Sequence, residues 1–118
     1  MKNYFKQSSP FVVPTDDGKL IEEHFGNSTR DALSLAHMIA PSGWSEPFQV
    51  PDFDEYTYVI RGKKKIIIDG ETIILNAGES VRISKGARIQ YSNPFEEECE
   101  YIAVCLPAFS PDLVNRED

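Results

Sequence analysis

Tyr56-Thr57-Tyr58-Val59-Ile60-Arg61-Gly62-Lys63-Lys64-Lys65-Ile66-Ile67-Ile68-Asp69-Gly70-Glu71-Thr72-Ile73-Ile74-Leu75 is the stretch that decides the fold class. Its β-branched and aromatic residues suit extended backbone, and Arg61-Gly62 interrupts them once before a second run reaches Asp69-Gly70. Asp-Gly is a favoured two-residue hairpin turn because both positions can take positive φ. The stretch therefore predicts successive antiparallel strands over 56–60, 63–68 and 71–75.

Working outward, the same grammar repeats on the C-terminal side. Ser80–Ile83, Arg88–Ser92 and Tyr101–Leu106 read as strands, punctuated by Asn76-Ala77-Gly78, Ser84-Lys85-Gly86, Asn93-Pro94 and Pro107. On the N-terminal side Phe11–Val13 and Leu20–Phe25 read as shorter strands and Asp31–Ala40 as a longer one. Within the last, alternation puts Leu33, Leu35, His37 and Ile39 on one face, and this reading aims His37 inward. Ala32, Leu33, Leu35, Ala36 and Met38 would also suit a helix. Many short strands at close spacing predict an all-β sandwich or small barrel.

The whole chain has 118 residues, enough for one core, and nothing in it marks a linker between two domains. Its formal net charge of -7 argues against nucleic acid or an anionic membrane as partner. The polar Gln7-Ser8-Ser9-Pro10 follows Met1–Lys6, so no signal peptide is predicted, and no apolar run reaches the length of a membrane span. The cytoplasm is the expected compartment. Cys99 and Cys105 lack metal or redox spacing and read as reduced thiols.

Two further sets of positions carry a family resemblance. Gly43, Gln49, Pro51, Glu55 and Gly62 fall, without a gap, where the first cupin motif has Gly, His, His, Glu and Gly; Gly78, Ser84, Gly86, Ile89 and Asn93 fall where the second has Gly, Pro, Gly, His and Asn. The chain thus resembles the cupin family. That resemblance implies a double-stranded β-helix, or jelly-roll, barrel of two antiparallel sheets. Residues 1–118 would form one domain, with N-terminal strands over 11–40, motifs over 43–93 and a tail over 107–118. Because Phe109 and Leu113 are bulky and apolar, the tail is expected to fold back over the barrel.

In metal-binding cupins three His and one Glu of these motifs hold the ion, whereas this chain has Gln49, Pro51, Glu55 and Ile89 at those places. Only Glu55 is a good ligand for a transition metal. We therefore expect no cofactor, although His37 or Glu46 could swing in to hold a weak or adventitious ion. The cavity would instead bind a small molecule among a few convergent polar groups. Glu55 is the candidate general acid or base. His37, Trp44, Gln49, Tyr58, Ile89 and Tyr91 are candidate ligand-binding residues.

Each has a plainer role available: a motif relic for Glu55, a satisfied core histidine for His37, packing for the tyrosines, and a cover over the barrel end for Trp44. Lys63-Lys64-Lys65 could attract a phosphorylated ligand but reads more simply as protection of a strand edge. Small one-domain cupins of this kind resemble sugar isomerases and epimerases, and also the cupins of ethanolamine utilisation. Proton transfer by Glu55, helped by His37 or Tyr91, is the chemistry such residues support; a non-catalytic ligand-binding or scaffold module is the alternative, and a metal-dependent dioxygenase is disfavoured by Pro51 and Ile89. The resemblance also implies a homodimer, with Phe11-Val12-Val13 available for strand exchange.

Overall fold

In the computed structural model, which describes residues 2–117, ten strands are joined by turns and loops and pair in antiparallel fashion, some with chain neighbours and others across long sequence separations. They are β1 (Phe11–Val12), β2 (Leu20–Phe25), β3 (Ser34–Ala40), β4 (Trp44–Ser45) and β5 (Asp54–Arg61), followed by β6 (Lys63–Ile68), β7 (Glu71–Asn76), β8 (Ser80–Ile83), β9 (Ile89–Asn93) and β10 (Cys99–Leu106). One sheet has six strands in the order β1-β2-β3-β10-β5-β8, and the other four in the order β4-β9-β6-β7. This is the two-sheet antiparallel barrel that the strand pattern and the motifs imply. A short α-helix, α1 (Pro111–Val114), lies near the C-terminus. Among the described residues no helix is long and apolar enough to cross a membrane.

The turns explain the topology locally. Asp69 and Gly70 take φ of 48° and 86°, so the predicted hairpin closes with Ile68 opposite Glu71. Gly62 has φ of 81°, and a Cβ there would stand 2.2 Å from the Glu98 carbonyl oxygen. Only glycine lets β5 turn into β6 against that backbone.

Two apolar clusters fill the interior. The larger joins the sheets through Trp44, Val59, Ile66, Ile83, Ile89 and their neighbours. The smaller consists of Phe53, Cys105 and Val114, with Phe109 and Leu113 packed against it. The C-terminal tail therefore contributes side chains to the interior. It is also tied by backbone: Asp52 N donates to Leu113 O, Val50 N to Asn115 O and Glu117 N to Phe48 O.

Two expectations need correction. Strand β3 turns Ser34, Ala36 and Met38 toward the interior, whereas His37 faces the other side, between β2 and β10. Ser34, Ala36 and Met38 line the same cavity as Tyr101 and Lys64. The lysine run does not guard an edge, since β6 pairs with β7 on one side and β9 on the other. As a central strand, β6 puts Lys64 on the same inward face as Ile66.

Candidate functional site in the barrel interior

Between the two apolar clusters lies a cavity of about 80 Å³, with walls drawn from both. Alternation along each strand decides which side chains reach it. β5 supplies Glu55, β6 supplies Lys64, β9 supplies Tyr91 and β10 supplies Tyr101, Ala103 and Cys105. The loop ahead of β5 adds Glu46 and Gln49, and Lys19 and Arg116 come from the chain's two flanks.

Lys64 is the unexpected member. It is only 2% exposed, and its ammonium lies 3.6 Å from the centre of the Tyr101 ring and 4.2 Å from that of Tyr91. The negative faces of the two rings attract the charge, worth about 2 kcal/mol or more where water is excluded. Among the described residues no carboxylate comes within ion-pair distance of it. Burial consequently pushes the amine's pKa down to about 8, with Lys19 adding repulsion while Glu55 and Glu46 oppose the fall. Lys19 is itself lowered by desolvation; its ammonium lies 4.3 Å from the Trp44 ring centre and 5.5 Å from that of Tyr101.

The hydroxyls of Tyr91 and Tyr101 are buried and have no hydrogen-bond partner among the described residues. Burial holds both phenols well above their ordinary pKa, so each keeps its proton and can donate it in a hydrogen bond. Leaving such a group unpaired costs about 1–3 kcal/mol. Glu55, 8% exposed, accepts from Thr57 Oγ1 at 3.2 Å and has Cys105 Sγ 3.9 Å away. The Cys105 thiol is held strongly protonated by burial and by Glu55.

Of the residues singled out in the sequence, Glu55, Gln49 and Tyr91 face this cavity together. Gln49 is fixed by paired backbone bonds with Ile89, each 2.9 Å, and its side-chain oxygen accepts from Arg116 Nε at 3.4 Å. Ile89 and Pro51 are buried but are not among the cavity's lining residues, and Ile89 belongs to the larger cluster instead. Trp44 is a buried core residue whose Nε1 donates to Asp17 Oδ2 at 2.7 Å, and it is not among the cavity's lining residues. Asn93, at the last motif position, donates through Nδ2 to the carbonyls of Ala40, Pro41 and Glu97, which makes it a loop anchor.

His37 and Tyr58 lie elsewhere. The His37 ring is bracketed by Glu22 Oε1 at 2.8 Å from Nδ1 and Glu100 Oε2 at 2.6 Å from Nε2. These contacts, that with Glu100 foremost, raise its pKa although partial burial opposes them. Tyr58 is 47% exposed on the outer face of the six-stranded sheet. Tyr56, Ile60 and Leu106 are exposed apolar residues on the same sheet.

Sequence reading missed Lys64, Lys19, Tyr101 and Arg116. For Lys64 the signal was present, because an inward Ile66 fixes the phase of its strand. For Lys19 and Arg116, in irregular segments, no periodicity existed to read.

Comparison with known proteins fits this architecture. Residues 36–105 match the family model described as "Cupin domain". The chain belongs to the cupin family. It is 44% identical over 108 residues to the endoribonuclease YbeY of Myxococcus xanthus, covering 90% of this chain and 37% of that protein. It is 42% identical over 57 residues to the acetate kinase EutQ of Clostridioides difficile, covering 48% of this chain and 35% of the relative. The chain thus spans little more than a third of either curated relative. The solved structure of the Clostridium difficile EutQ protein superposes with a TM-score of 0.65 at 30% identity, over 76% of this chain and 63% of that one. A variant of the Streptomyces protein PAC13, solved with uridine, gives 0.77 at 14% identity over 100% and 92% of the two chains, a likeness of fold.

The metal site that the family often carries does not fit these residues. Gln49, Pro51 and Ile89 replace its imidazoles, and among the described residues no three His, Cys, Asp or Glu side chains gather closely enough to hold an ion. His37, with Glu22 and Glu100 beside it, faces away from the barrel interior.

Proposed function

We propose that this cupin binds a small polar molecule inside its barrel and that the binding needs no tightly held transition metal. The observation that carries the reading is the pair of buried, unpartnered tyrosine hydroxyls beside an ammonium with no carboxylate partner. A ligand offering hydrogen-bond acceptors would satisfy all three groups at once, and recover the desolvation each now suffers. Glu55 adds a carboxylate to the same cavity, so proton transfer on the bound molecule, of the kind an isomerase or epimerase performs, is the enzymatic form of this proposal.

A thermal-shift screen over sugars, sugar phosphates, amines and carboxylates tests the reading, because whatever binds the native state raises its apparent stability. Compounds that raise the melting temperature of the wild type should fail to do so in Tyr91→Phe/Tyr101→Phe. An acid-base role further requires that Glu55→Gln change the pH profile of binding or turnover; an unchanged profile removes Glu55 from the chemistry.

A second reading, a ligand-binding module without its own reaction, is favoured by the coverage of the curated relatives. Cupin-like sequence occupies 37% of one protein named an endoribonuclease and 35% of one named an acetate kinase. Stable binding without turnover in the same screen would select it. The exposed Tyr56, Tyr58, Ile60 and Leu106 suit a second copy packed on the six-stranded sheet, so we place a homodimer in either reading. A monomeric mass by light scattering at micromolar concentration removes that part.

A further inference from the structure

Resting on the small-molecule reading of the barrel interior, we propose that Lys64 is a nucleophilic amine which captures small aldehydes, ketones or α-keto acids as a reversible imine. Three features of the cavity point to the carbonyl class. Lys64 lines the cavity, and its Nζ lies on the faces of Tyr91 and Tyr101 with no carboxylate of the described residues within ion-pair distance. Desolvation and a neighbouring cation are the two ways by which a lysine is made nucleophilic near neutral pH, and Lys64 has both, the cation being Lys19. The hydroxyls of the two flanking rings are protonated and have no hydrogen-bond partner among the described residues, so a carbonyl oxygen would meet hydrogen-bond donors in the same cavity.

The step balances without an external oxidant or reductant. The nitrogen lone pair forms a bond to the carbonyl carbon, and the π electrons move to the oxygen, which accepts hydrogen bonds from the tyrosine hydroxyls. A proton passes from the nitrogen to that oxygen by way of water to give a neutral carbinolamine. A proton from solvent then goes to the hydroxyl group, which leaves as water while the nitrogen lone pair closes the C=N bond, and the resulting iminium returns its N–H proton to solvent to give the imine. Hydrolysis reverses each step. The titratable groups around this nitrogen are Glu55, Glu46, Lys19, Cys99, Tyr91 and Tyr101, of which the carboxylates favour the ammonium and Lys19 the free amine. With an amine pKa of about 8, roughly a quarter of Lys64 is unprotonated at pH 7.5, against about 0.1% for an ordinary surface lysine.

The test is reductive trapping on the folded, full chain. Glyoxylate and glycolaldehyde, each with sodium cyanoborohydride at pH 7.5, would be followed by peptide mapping with a protease that does not cut at lysine. Lys64 should be labelled at least tenfold faster than Lys63 or Lys65, its exposed and half-buried neighbours on β6. Lys64→Arg, which keeps the charge, and Lys64→Met should abolish that labelling, whereas Lys65→Met should leave it. Labelling of Lys64 no faster than that of the surface lysines overturns the proposal. Ring resonances of Tyr91 and Tyr101 that shift with either carbonyl, but without trapping, overturn the imine while leaving a reversible binding site. Neither shift nor trapping overturns the imine and counts against the site as well.

Discussion

His37 and Lys64 are both basic side chains on central strands, one on the outer side of a sheet and one on the inner, and the molecule treats them in opposite ways. Outside, the imidazole is held between Glu22 and Glu100, and Arg61 adds contacts to Glu98 and Glu100. Inside, the amine rests on aromatic faces, short of ion-pairing partners. An outer charge with its partners in place is a structural element. An inner charge whose hydrogen-bonding capacity is unspent is a cost that the fold carries and a ligand can relieve.

The largest expected effect separates the two by sign. Lys64→Met should stabilise the protein by about 1–3 kcal/mol in urea unfolding at pH 7, because a buried charge is replaced by an apolar chain of similar length. Loss of stability instead would mean that the aromatic contacts outweigh the desolvation. The advantage of the variant should then shrink with pH. Since Lys64 titrates at about 8 when folded against an ordinary value of 10.5, the unfolded chain binds more protons between those limits, and wild-type stability rises across that window. Melting temperatures of the two proteins measured from pH 7 to 10.5 should converge.

A smaller effect sharpens the same point. Tyr91→Phe and Tyr101→Phe each delete an unpartnered hydroxyl, so each should be neutral or stabilising by up to about 1 kcal/mol, while weakening any ligand found by the screen about tenfold. Clear destabilisation would show that the hydroxyls are already satisfied. The smallest effect belongs to the outer face. His37→Gln should cost about 0.5–1 kcal/mol at pH 6 and leave ligand binding unchanged. Because the carboxylates raise the folded pKa above 6.5, this contribution is fully present below that value and is lost as the pH rises through the folded pKa. A pH-independent cost would assign His37 to packing alone.

These differences mark what could be read from the chain. Strand positions were legible because Gly, Pro and Asp-Gly punctuate runs of β-branched and aromatic residues, and the motif glycines sit where the backbone needs them, as Gly62 shows. The phase of β3 was not legible. Its bulky residues face outward, where Leu35 and Ile39 are half-buried, because the inner side needs small side chains around the cavity. Lys64 was overlooked although its signal was there: a lysine run reads as solvated by composition, but alternation with the inward Ile66 turns Lys64 inside. Glu55 and Gln49 were found by motif spacing, and Tyr91 by its alternation with the motif positions Ile89 and Asn93. Lys19 and Arg116 reach the cavity from segments whose approach depends on tertiary folding.

Trp44 is the chain's single tryptophan, and the ammonium on its indole face also approaches Tyr101, a lining residue of the cavity. The Lys19 ammonium thus stands between the indole and the cavity lining, and a ligand that draws it away should alter the emission wavelength or intensity. Titrating a candidate ligand against that emission would then follow occupancy of the barrel without a label.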